Sequence, residues 1–194
     1  KSFRDIFVKN EIAQVSPLDA IGIYEEFKDL FPPGAEADEY IEKLSERLVN
    51  ADLLGRAASL LEYQVNNRLT GNKKVETAIR LAAIRLLDGN PQGALRALEV
   101  AQDTYNKVAN GTLETVPANP ALPDIVPQAG DDAVAPTPVA AKEKADPELE
   151  RQIFLLKARA LSMQKKPDEA LAILNAMPPD TDVSRLRTDV AWFA

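Results

Sequence analysis

Three stretches of this chain open a helix with one pattern: proline, two residues, alanine, aliphatic. They are Pro17-Leu18-Asp19-Ala20-Ile21, Pro91-Gln92-Gly93-Ala94-Leu95 and Pro167-Asp168-Glu169-Ala170-Leu171. A fourth, Leu54-Gly55-Arg56-Ala57-Ala58, has the alanine without the proline. Ala20, Ala57 and Ala94 follow one another at about 37 residues, and Ala170 comes after roughly twice that interval. A fixed period of this size marks an array of stacked helical units. Each position has a physical role. Proline in a first helical turn sacrifices no hydrogen bond, because that N–H has no partner inside the helix. Alanine lets a neighbouring helix come close. The aliphatic residue begins a buried stripe, as in Leu171, Leu174 and Met177.

Taken in order, residues 1–16 read as a short helix and linker, with Phe3, Ile6 and Phe7 available for packing. Ser16 caps a helix that carries Ala20, Ile23, Tyr24, Phe27 and Leu30 and stops at Phe31-Pro32-Pro33-Gly34. Helices are then expected over 37–52 and 54–70, with Gly71 as the C-cap glycine of the second. Further pairs are expected over 74–88 with 91–108, and 147–164 with 167–177. A last helix starts near Asp182. Between the two blocks, residues 109–146 are rich in alanine, valine and proline and poor in bulky apolar side chains. Such a composition buries too little surface to offset chain entropy, so the segment reads as a flexible spacer inserted between two repeats. The expected layout is therefore helical repeats over 1–108, the insertion over 109–146, and a repeat with a final helix over 147–194. Together they form one all-α array of antiparallel helix pairs.

Composition removes several functions. The chain has no cysteine and no histidine, so disulfides, thiolate nucleophiles, imidazole bases and the common zinc sites are out of reach. Missing cysteine does not assign a compartment. A net charge of −7 argues against a nucleic-acid surface. No apolar run approaches the roughly 20 residues that span a bilayer. The chain starts at Lys1 and leaves Trp192 and Phe193 without an obvious cover. It reads as an excerpt of a longer array, and that apolar end is a candidate for self-association.

The helix pairs resemble tetratricopeptide repeats. The middle pair carries the likeness best, with Leu81-Ala82 in its first helix, Gly89 in the turn, and Ala94, Leu98 and Ala101 in its second. The last pair matches through Ala158, Leu161, Ala170, Leu174 and Met177, closed by Pro178-Pro179. The first pair is poorer, with Ser45, Leu48 and Ala57 in place but Asp52 where the family favours glycine. The period also exceeds the family's usual length of about 34. The stretch Tyr24 to Leu69 is similar in wording to large repeat proteins of alphaproteobacteria. The resemblance implies a right-handed α-solenoid whose first helices line a concave groove, and a role in binding other proteins.

By that register the groove positions are Glu39, Glu42 and Glu46, then Ile79 and Ala83, then Gln152, Leu155 and Arg159. The groove would be acidic at one end and apolar in the middle, a seat for a basic or amphipathic peptide. The plainer reading of the glutamates is a solvated helix face. The family's clamp for a C-terminal carboxylate is not expected, because Glu46 and Ala83 stand at its positions. Catalysis is not expected either. Glu25 and Glu26 are adjacent and point different ways on a helix, Asp131-Asp132 lies in the insertion, and there is no glycine loop for phosphate. No cofactor or metal is implied. The resulting expectation is a non-catalytic scaffold that binds a protein or peptide. The alternative is a structural segment that stacks on further repeats and has no binding site of its own.

Overall fold

The computed structural model describes residues 35–112 and 144–192, with the isolated positions 16 and 22. The expected helices over 1–16 and 17–30, the body of the insertion, and Phe193 lie outside the described residues. Those described form seven helices and no strand, so the protein is all-α. They are α1 (Ala35–Asn50), α2 (Leu54–Asn67), α3 (Gly71–Leu87), α4 (Pro91–Ala109), α5 (Pro147–Met163), α6 (Pro167–Ala176) and α7 (Thr181–Trp192). The chain divides into two compact units. The first contains the described residues 35–68 and the second contains 69–112 and 144–192.

In the first unit α1 packs on α2. Ile41, Leu44 and Leu48 recur at helical spacing on α1 and are essentially sealed from solvent, as are Ala57, Leu60 and Leu61 on α2. Gln64 is buried with them, and its Nε2 donates to the Asp38 carbonyl at 3.0 Å. Helix α2 ends three residues short of the expected Thr70. Arg68 has left helical geometry, and its guanidinium Nε donates to the Asp38 carboxylate. Gly71 is consequently not the C-cap of α2. It is the first residue of α3, with φ of 60°.

In the second unit each helix packs on the next, and α5 also meets both α3 and α7. Ala78, Ala82, Ala94 and Ala101 are fully buried, which is the close packing expected of the α3–α4 pair. A further apolar cluster joins Ala158 and Leu161 of α5, Ala170 and Leu174 of α6, and Val183 and Val190 of α7.

Three joints between helices, α1–α2, α3–α4 and α5–α6, share one geometry. Three of the pattern's alanines, Ala57, Ala94 and Ala170, have no exposed surface. Each stands five residues after a left-handed residue: Asp52 (φ 60°), Gly89 (φ 68°) and Lys165 (φ 60°). The N–H of that residue donates three residues back, and the next N–H donates five residues back. The bonds are Asp52 to Val49 and Leu53 to Leu48, Gly89 to Leu86 and Asn90 to Arg85, and Lys165 to Ser162 and Lys166 to Leu161, all between 2.7 and 3.1 Å. This pair of bonds satisfies carbonyls that a helix end leaves open. Gly111 (φ 69°) and Thr112 close α4 in the same way, onto Val108 and Lys107.

Candidate functional site

The residues singled out by register fall in both compact units. Glu39, Glu42 and Glu46 belong to the first, on α1. Glu39 and Glu46 are exposed and Glu42 is half-buried. Glu39 is paired with Lys43 one turn on, at 2.7 Å, so part of the expected acidic stripe is neutralised on its own helix. Ile79, Ala83, Gln152, Leu155 and Arg159 belong to the second unit. Ile79 is only 7% exposed and is part of the core, while Ala83 one turn on is half-buried and accessible. Gln152 is half-buried and donates to Glu148 at 3.3 Å. Leu155 and Arg159 come together with residues of α7 around an open groove of about 900 Å³.

That groove is a candidate binding surface in the second unit. Helix α5 supplies Leu155, Leu156 and Met163, and α7 supplies Leu186 and Val190. These side chains make an apolar floor. Met163 is 44% exposed, which is unusual for so large an apolar side chain outside a contact surface. Leu87, one of the two large apolar side chains exposed among the described residues, stands at the matching position of the preceding joint, directly before Asp88-Gly89.

Charges ring the floor. Arg159, Lys165 and Arg185 contribute cations, and Asp182 and Asp189 contribute carboxylates. Asp182 is already engaged, because its Oδ2 accepts from the Arg151 guanidinium at 2.9 Å. Arg151 also holds Asp180 at 2.8 Å and Glu148 at 3.1 Å. It thus ties the first turn of α5 to the start of α7 and helps to set the groove's width. Asp180 in turn accepts the Val183 N–H at 2.8 Å and caps α7. That hydrogen bond, with the Arg151 contact, holds the Asp180 carboxyl below the usual carboxylate range.

Lys165, Arg185, Leu186 and Asp189 were not reached from the sequence. The signal for the last three is the helical spacing of Asp182, Arg185, Leu186 and Asp189, which places them on one side of α7. Lys165 enters through the joint itself, as its left-handed residue.

Among the described residues no group of three acidic side chains is placed to hold a metal. No described helix is long and apolar enough to cross a membrane. Comparison with protein-family models, with curated proteins and with solved structures finds no match.

Proposed function

We propose that this chain is a non-catalytic scaffold, a tetratricopeptide-like α-solenoid that binds another protein through the groove between α5 and α7. The observation that carries the reading is the open apolar floor of Leu155, Leu156 and Leu186, bordered by charge. A surface of this kind stays in water only at a cost in free energy, which a docked partner removes. The solenoid part of the reading is supported by the recurring joint and by α5 touching both α3 and α7, the neighbour pattern of stacked pairs.

The test is affinity capture from the source organism's extract with the immobilised protein, beside a variant carrying Arg159→Glu and Arg185→Glu. Both side chains are exposed, so the variant should fold normally. A partner retained by the parent protein and lost by the variant is the expected outcome. Equal recovery on both would remove the groove from the proposal. A second reading is that the segment mainly stacks on further repeats. The exposed Leu87 and Met163, at equivalent positions of successive joints, favour it by offering apolar edges to a neighbour. Extending the protein at both ends and measuring Tm separates the two, since stacking repeats raise stability steeply.

A further inference from the structure

The floor of the α5–α7 groove says that something apolar fits there, and the charge around it says which kind. Three cations line the groove, Arg159, Lys165 and Arg185, and among the described residues none has an ion-pair partner. Of the two carboxylates, Asp182 is held by Arg151, which leaves Asp189 as the single acid not already paired. Among the lining side chains that have no ion-pair partner, cations therefore outnumber acids three to one, on a chain whose net charge is −7. Unpaired cations beside an apolar floor attract acidic partners and repel basic ones.

We infer that the groove takes an amphipathic peptide segment with acidic flanks, its aliphatic side on Leu155, Leu156 and Leu186 and its carboxylates toward Arg159, Lys165 and Arg185. This rests on the scaffold reading and narrows it to one class of partner. The inference departs from the basic peptide suggested by Glu39, Glu42 and Glu46, which lie in the other compact unit. Leu155 to Met163 covers about 12 Å of helix axis, so the segment is short, about two to three helical turns.

The probe is a fluorescein-labelled peptide of about twelve residues. It carries leucine at positions i, i+3, i+4 and i+7 and glutamate elsewhere, and it is titrated against the full chain by fluorescence anisotropy. A matched peptide has lysine in place of glutamate. The acidic peptide should bind, and Arg159→Glu with Arg185→Glu should weaken it about tenfold or more. Raising salt to about 0.5 M should weaken it as well, since exposed charges are screened. Met163→Glu should also weaken it without touching the buried core, whereas Glu39→Lys with Glu46→Lys should not.

Preferential binding of the lysine peptide overturns the charge assignment. If Met163→Glu abolishes that binding, the groove remains a docking site and only the partner class falls. Affinity for the acidic peptide that ignores the double arginine reversal overturns the inference, as does tighter binding of a labelled single-stranded oligonucleotide. If neither peptide binds, the inference falls, and the extract capture described above decides the scaffold reading separately.

Discussion

At Gly93 the absent side chain is the functional part. Its N–H donates to the Asn90 Oδ1 at 2.8 Å, the cap of α4. A Cβ built there would lie 2.9 Å from Asn90 Nδ2 and 3.1 Å from Arg85 Cδ. The Arg85 stem thus crosses the start of α4, as a side chain with a long apolar stem can. Gly93→Ala is expected to push Asn90 out of its capping position and to cost about 1 kcal/mol, read as a lower denaturant midpoint. Glycine should help where a side chain now sits in the left-handed region. Lys165→Gly is expected to raise stability by about 1 kcal/mol, since a non-glycine residue is strained at that φ. Asp52→Gly should act in the same direction but less, because aspartate tolerates the region better. The proline and alanine positions of the pattern were readable because they act through local sterics and small volume. The left-handed geometry at Lys165 was not, because nothing about lysine announces it; only alignment with Gly89 could have done so.

At the scale of helices, two arginines do the joining. Arg68 has a side chain just 2% exposed, and Asp38 is its partner from thirty residues earlier in the chain. Asp38→Ala would remove one charged partner of a buried guanidinium, with an expected loss of about 2 kcal/mol in the first compact unit. Hydrogen exchange of α1 and α2 amides would report it. This pair explains why α2 stops at Asn67, and it was invisible in the sequence, where charge and periodicity show a helix continuing. Helix boundaries set by a local signal were legible: Pro91, Pro147 and Pro167 each open a helix, and Asp146 caps α5 by accepting the Glu148 N–H at 3.0 Å. Boundaries set by a distant partner were not.

Arg151 gathers three exposed carboxylates, so its contribution should be salt-sensitive. Arg151→Met is expected to lower Tm at low ionic strength and to matter less at high ionic strength. Asp180 adds a pH dependence of known sign. Its folded pKa lies below its unfolded one, so its stabilisation is present above the unfolded carboxylate value and is lost as pH falls through the folded value. Asp180→Asn should therefore flatten the acid limb of a Tm-against-pH curve.

For the molecule as a whole, the absence of histidine and cysteine removes the groups that titrate near neutrality. Tm should change little between about pH 6 and about pH 8. The alkaline limb belongs to tyrosine. Burial raises the hydroxyl pKa of Tyr40, Tyr63 and Tyr105. Raised values mean stability that is present below the ordinary tyrosine pKa and lost as pH climbs through the folded one. Unfolding should set in above about pH 10, and a parallel rise in tyrosinate absorbance would identify the cause. The all-α character was fully legible, because a period near 3.6 is a property of single helices. The groove was half legible: Leu155 and Arg159 were placed by counting along α5, while its cationic rim depends on how α7 lies across α5.

The ends that flank residues 113–143 are each chemically closed. Helix α4 finishes with Gly111 and Thr112 returning their N–H groups to Val108 and Lys107, and α5 opens on the Asp146 cap. The Lys144 carbonyl is anchored by the Asn72 amide at 2.9 Å. These caps of both helices are made by residues outside that stretch. Because both caps are local, lineages can lengthen or shorten this stretch without disturbing the hydrogen bonds that end α4 and begin α5.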